Sequence, residues 1–230
     1  GRIVPIAGRS LDLKGALLAG SAEIGIVPLV LHEVAGRKLV IGAEFISGAD
    51  LYVMADGWAG GISTSSTNDR LFQSSLSIGP YIAACLAAGE VFKAARLNPE
   101  SYVSPPSVFY SGWTNNVSDT LDSSCPHQVQ VSIDFTLGGV GAVGCAAMHT
   151  LWSSEGVRGR LSVADNDTRG LEASNLNRYA LFGKSSIAKP KASDASRILA
   201  DADWDCVAHD TSVEQIAPFP NYVASDVARN

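Results

Sequence analysis

The chain is short of charge, of aromatic rings and of cysteine. Only 17% of its 230 residues are charged and 7% are aromatic. Seventeen Lys and Arg against 23 Asp and Glu leave a net charge of −6, which disfavours non-specific binding to nucleic acid or anionic membranes through bulk electrostatics. Cys85, Cys125, Cys145 and Cys206 are scattered and form no C-x-x-C pair. That spacing speaks against a disulfide framework or a four-cysteine zinc site and for reduced thiols in a cytoplasmic protein. His32, His127, His149 and His209 show no metal-ligand spacing. No apolar stretch runs unbroken for the roughly 18 residues of a membrane span, and the opening "GRIVPIAGRS" has no secretory-signal pattern. Asn116-Val-Ser118 and Asn166-Asp-Thr168 match the glycosylation pattern, which without a secretory route is chance.

What the chain has is apolar surface: 46% of its residues are hydrophobic, enough for a well-packed core. The two halves differ in texture. "GIVPLVLHEV", "KLVIGAEFIS" and "GADLYVMADGWAGGIS" read as strands, the last entering a glycine-rich turn. "GPYIAACLAAGEVFKAARL" reads as a helix with Ile82, Leu86, Val91 and Phe92 on its buried face. The proline-rich segment from Leu97 to Gln128 reads as an irregular connection containing short structure of undetermined type. We therefore expect an α/β N-terminal segment over residues 1–127 and a second region over 128–230.

The second region alternates strand, helix, strand, helix, strand, the pattern of an α/β sheet. Val129, Val131, Ile133, Phe135 and Leu137 alternate as one apolar strand face. Gly139-x-Gly141-x-x-Gly144 follows, then a helix to about Ser154. Strand, glycine turn and helix form the context in which this motif holds a phosphate: the glycines permit the turn and close approach, and the helix N-terminus offers free N–H groups. Asp165, at the end of the next strand, would accept hydrogen bonds from ribose hydroxyls. A tight packed turn is the plain alternative, and NAD and ATP remain equally open at this point.

The stretch after Asp165 favours a triphosphate. Arg178 offers a planar fork of donors for phosphate oxygens, and Lys191 a mobile point charge. The ordered elements "GVGAVG", Asp165-Asn-Asp167, Ser174-Asn-Leu-Asn-Arg178 and "AKPKA" resemble the ThiF/MoeB family, which includes the adenylation domains of ubiquitin-activating enzymes. The resemblance covers roughly Phe135 to Leu199 and the end of the chain. It implies a Rossmann-like α/β sheet flanked by helices, with Gly139, Gly141 and Gly144 shaping the nucleotide loop and Asp165 and Asp167 at the nucleotide. Asn175, Arg178 and Lys191 would line the phosphate path, and Asp226 in "VASDVARN" would be the catalytic, magnesium-associated carboxylate. The implied reaction is ATP- and Mg²⁺-dependent adenylation of the C-terminal carboxylate of a ubiquitin-like or sulfur-carrier protein, by a homodimer or a domain paired with a second of its kind. Tyr179 and Ala188 depart from the pattern, standing where glutamine and glycine are usual. The later strands of the full family domain have no counterpart downstream. Two other readings stay open: a degenerate domain that only binds a ubiquitin-like partner, and an NAD-dependent oxidoreductase, which leaves Arg178 and Lys191 unexplained. Cys125-Pro-His127 lacks an orienting partner, and Cys145 and Cys206 read as structural. Trp58 and Trp113 lie near turns, where core packing is the default.

Overall fold

Strand β2 (Leu51–Asp56) is buried along its whole length, because its apolar run serves two cores. Leu51, Val53 and Ala55 pack with Ile62, Ala83 and Ala87, while Tyr52 and Met54 pack with Val40 and Phe109. These residues belong to a computed structural model that describes residues 38–42, 46–66, 76–97, 101–103, 105–122, 124–126, 129–200, 204–216 and 222–224. The described residues of 30–129, with 154–156, form one compact unit, and those of 130–153 and 157–230 form another. The expected strand "GIVPLVLHEV" lies outside the described residues, as do His32, His127 and Asp226.

In the first unit, β1 (Leu39–Ile41) runs parallel to β2, and β2 turns through Gly57-Trp58 into antiparallel β3 (Ala59–Ser63). The sheet continues through β4 (Val108–Ser111) and β5 (Asn116–Ser118) in chain order. These last two strands lie in the segment read from sequence as an irregular connection. Pro99, Pro105 and Pro106 precede the hairpin and Pro126 follows it; its turn closes with Asn115 in the left-handed region at φ 57°. Asparagine tolerates that region.

Helix α1 (Ile78–Arg96) forms where the sequence places it, but with a different buried face. Gly79, Ala83, Ala87 and Glu90 are buried, whereas Val91 and Phe92 are 56% and 67% exposed. The helix approaches the β2–β3 hairpin so closely that a Cβ on Gly60 would lie 2.0 Å from the Gly79 carbonyl oxygen. Only small residues fit that contact, so Val91 and Phe92 turn outward, while Leu86 packs half-buried at the edge of the core. Buried Glu90 is paired with Lys93 and accepts a hydrogen bond from the Tyr102 hydroxyl at 3.0 Å. By length and composition alone α1 could cross a membrane, although Ala83 and Ala87 pack into the sheet core.

The second unit is a parallel sheet: β6 (Val131–Gly138), β7 (Val157–Ala164), β8 (Asp205–His209) and β9 (Tyr222–Ala224), in spatial order β8-β7-β6-β9. Successive strands step in one direction from β6 to β8, and β9 then pairs on the opposite side of β6. The order reverses between β6 and β9, and such a switch point opens a crevice beyond the carboxyl ends of the strands. Helix α2 (Ala142–Ser153) follows β6, and α3 (Lys191–Ala200) precedes β8. The expected apolar face of β6 is buried only toward its end: Val131 is 39% exposed and Leu137 1%. The cause is that β9 covers β6 only from Thr136 to Gly138.

Candidate functional site

The chain leaves β6 through Gly139, whose φ of 92° excludes most side chains. Gly139 N–H donates to the Ala164 carbonyl at 2.8 Å, and Val140 N–H donates to Asp165 Oδ2 at 2.7 Å. The other oxygen of that carboxylate accepts Asp167 N–H at 2.8 Å. Asp165 thus ties the glycine turn to the loop leaving β7. An ionised carboxylate has about four acceptor positions, so further capacity remains for ligand hydroxyls. Gly141 and Gly144 are buried without needing a left-handed backbone, and so supply space rather than conformation. Beneath the turn, Cys145 is fully buried and its thiol is pushed up in pKa by burial, with Lys191 opposing. It packs, as the sequence indicates. The first turn of α2 contains no acidic side chain, leaving its orphan N–H groups and partial positive charge uncompensated from within the helix.

Lys191 is positioned by two loop segments that pair side by side in a parallel bridge at Leu171 and Ile187. Ala188 N–H donates to the Leu171 carbonyl at 2.9 Å, and Leu171 N–H to the Lys189 carbonyl at 3.1 Å. Gly170 sits against this brace, where an added Cβ would lie 2.6 Å from the Ala188 carbonyl carbon. Pro190 then leads into α3, whose first residue is Lys191. Its ammonium donates to Asp167 Oδ2 at 2.8 Å. Burial works against the lysine's charge, yet the bond to Asp167 and the nearby Asp165 hold its pKa above the ordinary value. Asp167 is held below the usual carboxylate range, first by Lys191, and Arg169 adds to this from 3.3 Å.

The "ASNLNR" run forms a 3₁₀ turn, Ala173–Arg178, which places Arg178 Nη2 on Asn175 Oδ1 and leaves the arginine exposed. Tyr179, next in sequence, is extended and buried. Its ring lies 5.6 Å from the Arg178 guanidinium carbon and 5.8 Å from Lys191 Nζ. Three contacts form among or beside the expected site residues: Asp165 with the glycine turn at Val140 N–H, Asp167 with Lys191, and Asn175 with Arg178, while Gly139 itself donates to Ala164. The Asp165–Asp167 loop joins the first two, and Tyr179 joins the last two. Sequence reasoning missed Tyr179, Arg169 and Gly170. The signal for the tyrosine was its departure from the family pattern.

Other candidates fall away on chemistry. Burial raises the pKa of the Cys125 and Cys206 thiols, the reverse of what an activated nucleophile needs. His149 is lowered to about 4 by burial and packs edge-on against Trp152 at 5.3 Å. Trp58 and Trp113 contact one another at 5.4 Å, with Trp113 55% exposed. Among the described residues no group of three or more His, Cys, Asp or Glu is placed to hold a metal ion.

Residues 129–225 match the ThiF family. The chain carries a ThiF-family domain. The matched residues stand on an α/β frame. A Sinorhizobium fredii (strain NBRC 101917 / NGR234) protein, "Uncharacterized protein y4jF", is 32% identical over 162 residues, covering 69% of this chain and 30% of that protein. The chain thus spans about 30% of the length of the curated relative it matches. Among solved structures, E. coli MccB with ATP aligns at 19% identity over 38% of this chain and 27% of that one, with a TM-score of 0.32. E. coli MccB with selenomethionyl MccA aligns at 15% identity over 77% and 60%, with a TM-score of 0.34.

Proposed function

We propose that the ThiF domain binds ATP and adenylates the C-terminal carboxylate of a small protein of ubiquitin-like or sulfur-carrier type. The observation that carries this reading is the linked set Asp165–Asp167–Lys191, which begins at the glycine turn, beside the switch point of the parallel sheet. A dinucleotide site accounts for Gly139 and Asp165 but leaves a buried lysine and an exposed arginine around one aromatic ring without a task.

In this reading a carboxylate oxygen of the substrate protein attacks the α-phosphorus of ATP. The bond from that phosphorus to the bridging oxygen breaks, and pyrophosphate leaves with the electron pair. Little covalent chemistry falls to the enzyme. Its work is alignment and the neutralisation of growing negative charge. Gly139, Gly141 and Gly144 shape the nucleotide loop, and the spare acceptor capacity of Asp165 suits ribose hydroxyls. Arg178 and Lys191 supply positive charge to the phosphates, with Asn175 and Asp167 orienting them. Mg²⁺ would add a Lewis acid held mainly by phosphate oxygens and few carboxylates, with Asp226, outside the described residues, as its protein ligand. A second copy or a second adenylation-type domain would complete the assembly. Four free thiols suit a cytoplasmic setting.

Calorimetric titration of the chain and of Arg178→Ala with Mg-ATP and with NAD⁺ tests the proposal. ATP binding that weakens about tenfold or more in the variant supports it, a charged hydrogen bond to phosphate being worth about 1.5–3 kcal/mol. Binding of NAD⁺ alone would favour the oxidoreductase, and binding of neither would favour a domain that only grips a protein partner. A positive result leads to pyrophosphate exchange with candidate carrier proteins.

A further inference from the structure

Arg178 and Lys191 lie thirteen positions apart in the sequence, and each has its own polar tether: Asn175 for the arginine, Asp167 for the lysine. The Tyr179 ring is shared by both. Its centroid is 5.6 Å from the Arg178 guanidinium carbon and 5.8 Å from Lys191 Nζ, inside the roughly 6 Å over which a ring quadrupole attracts a cation.

The ring is itself held. Tyr179 leaves the 3₁₀ turn in an extended conformation, φ −111° and ψ 103°, which carries its side chain inward while Arg178 stays exposed. The ring is 6% exposed and meets Phe182 edge-on at 5.9 Å and 73°. Phe182 is 1% exposed. A side chain packed this way loses its rotamer freedom on folding, so the ring offers a fixed surface to two long, flexible cations. The negative ring face attracts both cations, the shielded Lys191 more strongly than the exposed Arg178.

We propose that Tyr179 is a positioning residue whose aromatic ring, not its hydroxyl, sets Arg178 and Lys191 in place before a polyphosphate arrives. The inference rests on the ATP reading above and goes beyond it by assigning the task to a residue that contributes no charge. It follows that Tyr179 acts on the phosphate end of the nucleotide and not on adenosine, which the glycine turn and Asp165 would hold.

The test uses the full chain with Tyr179→Phe, Tyr179→Leu and pentafluorophenylalanine at position 179, which keeps the ring's shape and reverses its quadrupole. Affinities for ATP and for adenosine are measured by calorimetry. The NMR shifts of the Arg178 δ and Lys191 ε protons are recorded without nucleotide. We expect Tyr179→Phe to hold ATP within about twofold of the unaltered chain. The leucine and pentafluoro variants should lose roughly tenfold for ATP and keep adenosine within about twofold, a cation–π pair of this kind being worth about 1–2 kcal/mol. Ring-current shifts on both cations should persist in Tyr179→Phe and vanish in Tyr179→Leu. Should the leucine variant not fold, the pentafluoro variant carries the comparison. Equal losses for ATP and adenosine would mean a packing role, and damage by Tyr179→Phe would mean a hydroxyl role; either overturns the inference. ATP binding indifferent to the pentafluoro ring would overturn it alone. No ATP binding by the unaltered chain would sink the ATP reading and this inference with it.

Discussion

Lys191 Nζ donates to Asp167 Oδ2 at 2.8 Å, joining the first residue of α3 to the loop that leaves β7. The lysine side chain is 10% exposed and the aspartate 27%, so the pair is only partly screened by solvent. Asp167 is lowered in the folded chain, so its contribution is present above its unfolded pKa and lost as pH falls through the folded one. Lys191 is raised, so its contribution is full below its unfolded pKa and lost as pH rises through the folded one. Lys191→Met should therefore cost about 1–3 kcal/mol between roughly pH 5 and pH 9. The difference should close in strong acid, once Asp167 is protonated. Urea midpoints across pH measure this, and a loss that persists in acid would show packing rather than charge.

Asp165 accepts two backbone N–H groups, one from fully buried Val140. Asp165→Ala leaves both donors without that acceptor and should cost about 1–3 kcal/mol. Asp165→Asn keeps one carbonyl acceptor and should lose about half as much. Chemical unfolding of the two variants distinguishes them. Equal losses would mean that the acceptor geometry at the glycine turn does not depend on this side chain's oxygens.

Ala188 stands in the left-handed region at φ 64°, a conformation that costs an L-residue about 1–2 kcal/mol. Ala188→Gly removes that cost at some expense in unfolded-chain entropy, and a net gain of about 0.5–1 kcal/mol is expected. Gly170→Ala, on the opposite loop, should do the reverse, since its φ is 87° and a Cβ would lie 2.6 Å from Ala188. A guanidinium unfolding series on both variants settles the signs.

His149 is held neutral in the fold, its pKa lowered to about 4 by burial beside Trp152. The unfolded chain takes up a proton near pH 6.5 and the folded one does not. Stability therefore falls as pH drops from about 6.5 toward 4, by roughly 2–3 kcal/mol from this group. His149→Gln should flatten that slope. A slope unchanged by the substitution would place the acid sensitivity elsewhere.

The second unit was largely legible. β6, the glycine turn, α2, β7, α3, β8 and β9 lie where periodicity and turn residues put them, because each is a local pattern read against one sheet. The first unit was legible in kind but not in packing. Of the expected inner face of α1, Leu86 packs half-buried against the core and Val91 and Phe92 lie outside, while Gly79, Ala83, Ala87 and Glu90 face inward. The helix lies too close to the β2–β3 hairpin for large side chains, and the depth of a contact leaves no period in the sequence. The β4–β5 hairpin was hidden for a related reason: short strands among prolines and small polar residues show no alternation long enough to read.

Amino-acid order alone determined the strand–glycine–helix unit, the acid at the next strand end and the spacing of Asn175, Arg178 and Lys191, since these depend on local backbone chemistry. Tertiary structure decided which of them touch. Asp167 meets Lys191 because the loops at Gly170 and Ala188 pair side by side, and Tyr179 joins Lys191 to Arg178 because Phe182 holds its ring. The meetings of Lys191 with Asp167 and with Tyr179 span 24 and 12 positions of chain, where packing rather than local propensity selects the neighbour.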